Sequence, residues 1–343
     1  MNGKKILLGM NLEELQELVT GAGMQRFVGR QLAEWIYGKA VTTFDEMANI
    51  SIRNKEWLKE NCEIGRKAPA GVTESRDGTR KYLFKVYGGN LVESVYIPDH
   101  ERATLCVSSQ SGCKMNCYFC ATGRMGFKCN LSAAEILNQI LSVPGRSEKH
   151  LAPLTNIVFM GMGEPLDNWP EVRRALDVVT ASWGLAWSPK RVTVSTVGKL
   201  PQLKNLLDET DVHVAVSVHT PLMEEREQIM PAQKAFPLKD VLNILRGYDF
   251  SKQRRLSIEY IMWMGVNDDM AHARALERLL HGLHCRVNLI RFHAVPGVNL
   301  RPCSEERMVM FRNFLNSKGI TATIRASRGE DIMAACGMLA AGK

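Results

Sequence analysis

The sequence predicts an α/β protein: a partial (βα)6 barrel with a small N-terminal helical domain and a β-hairpin. Three observations carry this reading. From residue 102 onward, short β-branched runs alternate with helix-period stretches, the pattern of parallel strands joined by crossover helices. Six or so such units are too few for a closed eight-stranded barrel, so an open side is expected. The residues with chemistry fall at the carboxyl ends of the predicted strands, where barrels hold their sites. With 343 residues and 45% hydrophobic content, the chain can bury a large core, and global disorder is excluded.

Residues 1–65 read as the helical domain. Asn11 can cap a helix with Glu13 and Glu14 in its first turn and with Leu12, Leu15, Leu18 and Val19 on one face. Gly21 and Gly23 end it. Phe27, Val28, Leu32, Trp35 and Ile36 mark a second helix, and Thr43 opens a third region. Arg26, Arg30, Lys39, Arg53 and Lys55 lie around these turns, either to hold a phosphate backbone or as a merely solvated face. Residues 66–98 read as a hairpin linker region, with strands at 81–87 and 91–97 around Gly88-Gly89-Asn90.

Residues 99–343 form the barrel core and the carboxyl-terminal segment. Strands are expected at 103–108, 156–162, 192–197, 213–219, 255–263, 286–294 and 321–326. Helices are expected near 133–142, 170–180, 201–208, 238–246, 270–282 and 305–317, the first opened by a capping box of Ser132 and Glu135. No apolar run is long enough to cross a bilayer, and residues 1–10 are too short in their apolar part for a secretory signal. Nine cysteines without an export signal point to reduced thiols in the cytoplasm. A net charge of +8 leans toward a polyanionic partner, nucleic acid being the commonest. A mildly basic protein with no such partner is the plainer alternative.

The most informative motif is C-K-M-N-C-Y-F-C, which places Cys113, Cys117 and Cys120 three and two residues apart. Closed zinc and iron–sulfur sites take four protein ligands. Three thiolates on a 4Fe–4S cube leave one iron open to a substrate or cofactor. A structural zinc site would need a fourth ligand, and no C-x-x-C or H-x-x-H partner pair stands elsewhere. A disulfide framework suits short secreted chains. Gly112 and Gly123 free the loop to wrap a cluster; Phe119 either shields it or is plain core.

The next strand ends in Gly161-Met162-Gly163-Glu164-Pro165, where glycines admit a close ligand and a carboxylate can hold an ammonium group. Ser195 and Thr196, then Ser217 and His219, end the following strands, and His293 lies near the end of a later one. Each is either a ligand contact or a satisfied structural polar group. On spacing alone neither Cys106 nor Cys336 stands out. Cys62, Cys129, Cys285 and Cys303 read as ordinary thiols.

Five strings in order, L-C-V-S-S-Q-S-G-C-K-M-N-C-Y-F-C-A-T-G, F-M-G-M-G-E-P-L-D-N, V-S-T-V-G, V-S-V-H-T and R-G-E-D-I-M-A-A-C-G, resemble the RlmN/Cfr family of the radical S-adenosylmethionine (SAM) superfamily. The resemblance spans about residues 10–340. It implies a radical-SAM-type partial barrel and an RNA methyltransferase acting on C2 of an adenosine in 23S rRNA and in tRNA. It implies one 4Fe–4S cluster on Cys113, Cys117 and Cys120, and SAM contacts from Gly163, Glu164, Ser195, Ser217, Val218, His219 and His293. Cys336 would carry a methyl group, Cys106 would later form a disulfide with it, and Glu93 would be an acid/base.

That route suits the target, because adenine C2 is electron-poor and is not methylated by simple displacement. A methyl group is first placed on Cys336. A hydrogen is then removed from it by a 5′-deoxyadenosyl radical, and the resulting carbon adds to C2. The product leaves as the disulfide forms. The resemblance also implies a cytoplasmic monomer reduced by a donor such as flavodoxin, with no membrane partner. Many family members carry Asn in place of His293. The Cfr branch, which methylates C8, reads G-E-A where this chain has Glu164-Pro165, and lacks R-G-E-D, here 328–331. C2 is therefore favoured. Other radical enzymes remain alternatives; a methylthiotransferase needs a second cysteine-bound cluster, and no second triplet exists. An RNA-binding protein with a structural metal is the non-enzymatic alternative.

Overall fold

The computed structural model describes residues 3–143 and 151–341; Met1 and Asn2 of the amino-terminal stretch lie outside them. Ten strands form one sheet, ordered in space as they are in sequence. They are β1 (Gly71–Glu74), β2 (Arg80–Lys85), β3 (Leu91–Asp99), β4 (Arg102–Cys106) and β5 (Leu154–Phe159). The sheet continues with β6 (Val192–Thr196), β7 (His213–Ser217), β8 (Leu256–Met262), β9 (Arg286–Arg291) and β10 (Thr321–Ile324). From β4 to β10 every neighbour is parallel, as strands rich in Val, Ile and Leu and covered by helices should be.

The crossover helices are Ala133–Leu141, Trp169–Thr180, Leu200–Glu209, Leu238–Leu245, Met270–Leu280 and Glu305–Ser317. Each buries an apolar stripe on the sheet. The capping box of Ser132 and Glu135 is formed, and Asp269 and Ser304 cap two later helices through their side chains. These strands and helices match the sequence expectation within a few residues at each end.

The hairpin is more than a linker. Strand β3 pairs antiparallel with β4, setting Val95 opposite Cys106, so β1 to β3 extend the barrel sheet. Strand β1 was not expected: G-V-T-E is short and mostly exposed, so no apolar alternation marks it. Short helices at Ala121–Arg124, Met223–Ile229 and Ala232–Ala235 were also unforeseen. Isolated turns of this length are unstable and form only through tertiary packing.

The amino-terminal helices follow their signals. Asn11 and Glu14 form a capping box on Leu12–Gly21. The next helix, Phe27–Ala33, runs into a wider π-type turn at Glu34–Gly38. That turn buries Tyr37, whose hydroxyl donates to the Met10 carbonyl at 2.6 Å and accepts from the Gly9 amide at 3.1 Å. Arg174, on Trp169–Thr180, reaches Glu14 at 2.8 Å and ties this cap to the barrel. Among the described residues no helix is long and apolar enough to cross a membrane.

Candidate active site

The cysteine triplet lies on the loop after β4. Its base is pinned where Gln110–Ser111 pairs antiparallel with Cys129–Asn130. Gly112 turns there at φ +71°, and a side chain would run into the Gly126 carbonyl. The Cys120 amide donates to the Cys117 carbonyl at 3.1 Å, and the Tyr118 amide to the Ile229 carbonyl at 2.9 Å. Phe119 sits edge-on to His219 at 4.8 Å and against Trp263 at 5.2 Å, so it is both a wall of the site and part of a dry apolar cluster.

Burial pushes the Cys113 thiol up to about 12. Burial and the other two sulfurs raise Cys117 well above its ordinary value, and burial raises Cys120. The Met115 amide is 3.5 Å from the Cys113 sulfur, and the Gly123 and Thr122 amides ease the rise at Cys120. Thiols in such a setting ionise together only against added positive charge. A cube spreads its thiolates over separate irons, so the triplet with its N–H donors fits a 4Fe–4S cluster.

A cavity of about 810 Å³, its open mouth included, joins the triplet to the carboxyl ends of the strands. It is lined by Gly163, Glu164, Ser195, Ser217 and His219 together with Cys113, Cys117, Cys120 and Cys336. Gly163 has φ +98°, and a Cβ there would come within 2.5 Å of Gln110. Burial lifts the Glu164 carboxyl to about 7 even though it accepts from the Val197 and Leu166 amides at 2.9 and 3.0 Å. Burial and the nearby Arg226 cation depress His219 to about 3. Its Nδ1 accepts from the Ile261 amide at 3.1 Å, which leaves Nε2–H as the donor of a neutral ring.

Two expected contacts stand apart from this lining. Val218 is fully buried, with its amide on the Glu259 carbonyl at 3.1 Å. His293 turns to the carboxyl-terminal segment, 3.0 Å from the Ser327 hydroxyl and 3.1 Å from Glu330.

That segment is strapped across the triplet loop. Gly337 and Leu339 carbonyls accept from the Ala121 amide at 2.8 Å and the Thr122 hydroxyl at 2.7 Å. Glu93 accepts from the Ala340 amide at 2.9 Å and pairs with Lys81 at 3.0 Å; it holds the strap and does not line the cavity. Asp77 accepts from the Gly329 amide at 3.0 Å, and Asp331 from the Ser75 hydroxyl at 2.6 Å. The strap delivers exposed Cys336 to the cavity, within electrostatic reach of Cys106 at the end of β4. Burial, then the Cys336 sulfur, push Cys106 up to about 12. Every one of the nine cysteines is a free thiol, so the disulfide expected between Cys106 and Cys336 is not formed in this state.

Comparison with known proteins places this geometry. Residues 6–64 match the Ribosomal RNA large subunit methyltransferase N-terminal domain, and residues 107–276 match the Radical SAM superfamily. The chain is 54% identical over 340 residues to the Phocaeicola vulgatus protein named "Probable dual-specificity RNA methyltransferase RlmN", covering 99% of this chain and 96% of that one. The chain belongs to the RlmN family of radical SAM RNA methyltransferases. A Syntrophobacter fumaroxidans protein named "Dual-specificity RNA methyltransferase RlmN" is 43% identical over 96% of each chain. The crystal structure of a radical SAM methyltransferase from Sphaerobacter thermophilus superposes with a TM-score of 0.92 at 36% identity, covering 98% of this chain and 99% of that one. The family implies a 4Fe–4S cluster, SAM and an RNA substrate.

Three further residues of this RlmN-family site went unread in the sequence. Glu259, only 3% exposed on β8, lines the cavity with Arg325, and the two lie 3.6 Å apart. Burial opposes the Arg325 charge, but Cys336, Glu259 and Cys106 outweigh it and raise its pKa. Arg226 lies fully buried under the strand ends. A carboxylate inside the apolar run L-S-I-E-Y-I-M was the one available signal. The arginines carried none, because an arginine on a helix or tail reads as solvated.

The strap also sets a pH window. Burial acts to raise Asp77, but the Gly329 amide and the Thr79 hydroxyl and amide outweigh it and hold the carboxyl down to about 2. A depressed carboxylate stabilises above its unfolded pKa and loses that contribution as pH falls through its folded one. Asp77→Asn is therefore expected to speed amide exchange across residues 329–340 at neutral pH, and the difference from the parent should shrink as pH falls toward 2 and vanish below it. Equal exchange in the two proteins at neutral pH would show that Asp77 does not hold the strap.

Proposed function

We propose that the protein methylates C2 of an adenosine in 23S rRNA, and of one in tRNA, with Cys336 as the methyl carrier. The observation that supports this best is the nearness of two cysteines distant in sequence. Cys336, on the strap, lines the cavity that holds the triplet, and Cys106, at the end of β4, lies within its electrostatic reach. Cys113, Cys117 and Cys120 would hold the 4Fe–4S cluster. Gly163, Glu164, Ser195, Ser217, Val218 and His219 would hold SAM, Val218 through its backbone. His293 would reach SAM only by leaving Ser327 and Glu330. With both groups bound, the site is supplied with a carbon radical able to remove hydrogen from a methyl group.

The rest falls to the protein's own residues. Cys336 would give up its proton and, as a thiolate, take the methyl group of a first SAM by displacement, with S-adenosylhomocysteine as the leaving group. Arg325, beside both sulfurs, favours their thiolate forms. Neutral His219 and the amides around Glu164 orient without adding charge. After the methyl carbon has bonded to C2, the adduct radical has given up one electron to the site's redox group and the C2 proton has left, with Glu93 as its acceptor once the strap frees it, the Cys106 thiolate would attack the Cys336 sulfur. The S–C bond breaks with its electron pair on the freed carbon, which takes up a proton to become the C2 methyl group, and a disulfide remains that an external thiol must reduce. The adenine has to leave its stack to reach this point. The N-terminal helices and the basic loop 123–128 would hold the RNA backbone. The G-E-P and R-G-E-D strings favour C2 over C8. A flavodoxin-like donor, a cytoplasmic setting and a monomeric state complete the proposal.

Cys336→Ala is expected to abolish RNA methylation while SAM cleavage to 5′-deoxyadenosine continues. Cys106→Ala is expected to let covalent RNA–protein adducts accumulate on denaturing gels. Normal methylation by Cys336→Ala would overturn the scheme.

Glu164 gives a pH test. Its carboxyl titrates at about 7, and only the ionised form attracts the SAM ammonium. Affinity should therefore rise with pH up to about 7, with a slope that approaches tenfold per unit on the acid side, read by calorimetry on the cluster-loaded protein. Glu164→Gln should bind weakly with no such slope. A wild-type affinity that is flat from pH 6 to 8 would contradict this role.

A further inference from the structure

Arg226 is among the largest fully buried side chains in the molecule, with 0% of its surface exposed. It projects from Met223–Ile229 beneath the ends of β6 and β7. Its guanidinium donates to the Ser217 carbonyl at 2.9 Å, to the Val197 and Val218 carbonyls at 3.3 Å, and to the Gln233 side-chain oxygen at 2.5 Å. All these acceptors are neutral. Among the described residues Arg226 forms no ion pair with a carboxylate, and the ionisable group whose charge acts on it is the Cys117 sulfur. Burial brings its pKa down to about 10, so it remains a cation at neutral pH.

A buried charge with no counter-ion is costly, and hydrogen bonds to neutral groups recover only part of that cost. Buried arginines are therefore paired with carboxylates or face a bound anion. Here the same helix reaches the cysteine triplet directly, since the Ile229 carbonyl receives the Tyr118 amide at 2.9 Å, inside the Cys117–Cys120 turn. Phe119, Ile229, Met230 and Trp263 surround the contact as a dry cluster, so a charge there is weakly screened.

We propose that Arg226 is the built-in counter-charge of the iron–sulfur cluster held by Cys113, Cys117 and Cys120, and that it sets how readily that cluster is reduced. The proposal rests on the cluster assignment made above. A cube held by three thiolates gains negative charge on reduction. A fixed cation beside one ligand favours the reduced form and raises the reduction potential, since net charge and surroundings tune such clusters. Arg226 would act through the cluster without touching substrate. The competing role is purely structural: a pin for the carbonyls that shape the strand ends.

Arg226→Lys and Arg226→Gln separate the two roles. Both lose the fork that pins the carbonyls, and only lysine keeps the charge. The full chain is reconstituted anaerobically with iron and sulfide, its iron counted, its cluster titrated by EPR-monitored potentiometry, and its melting followed with and without cluster. The expected result is a lysine variant with a potential near the wild-type value. The glutamine variant should be at least tenfold less reducible, a shift of about 59 mV to more negative potential for one electron. It should also lose part of the melting gain that cluster loading gives. Equal potentials and equal gains in the two variants would overturn the proposal, as would failure of the lysine variant to fold or load iron. A wild-type protein that takes up no cluster would instead sink the cluster assignment itself.

Discussion

Three thiols gathered on one largely apolar wall resist ionisation, and the middle one feels the other two. Burial raises Cys113, Cys117 and Cys120 together, with Cys117 raised further by its two neighbours. The site is arranged around that electrostatic problem. Amides point at two of the sulfurs, the charge of a buried guanidinium acts on the third, and the aromatic wall of Phe119, His219 and Trp263 keeps water away. Such a pocket is poorly suited to free thiols and well suited to a polynuclear metal centre.

The sheet converts this local chemistry into a site. Parallel strands in strict sequential order deliver Glu164, Ser195, Ser217 and His219 to one rim. The antiparallel extension β1 to β3 carries Asp77 and Glu93 to the other side, where they grip the carboxyl-terminal strap. Cys336 thus sits between a rim that fits a small polar ligand and a strap fastened by backbone hydrogen bonds. A carrier residue has to be presented to two reactants in turn, and a segment held by a few such bonds can move where a strand could not.

Most of the barrel was legible because its signals are local. Capping at Asn11 and Ser132, helix-period apolar stripes and β-branched runs all agree with the tertiary outcome. The strand ends were systematically overread. The runs 156–162, 213–219 and 286–294 leave the ladder at Phe159, Ser217 and Arg291. Apolar residues continue past those points, but the backbone turns away, with Gly163 at φ +98° and His219 at φ +60°. The chain stops pairing where it starts to line the cavity, so the same residues satisfy a strand pattern and serve the site. What stayed hidden depends on tertiary contact. The approach of Cys106 to Cys336, the Glu259–Arg325 pair and the burial of Arg226 follow from packing elements distant in sequence, and no spacing records them. The short Met223–Ile229 helix is of the same kind, stable only because it closes over the strand ends.

The central claim is that the cysteine triplet holds an iron–sulfur cube with one iron left open. Iron and acid-labile sulfide analysis of anaerobically reconstituted protein tests it most directly, with the triple Ala variant of Cys113, Cys117 and Cys120 as reference. The account predicts about four irons and four sulfides per chain in the parent and none in the variant. A colourless parent that binds a single zinc ion at these cysteines would contradict it.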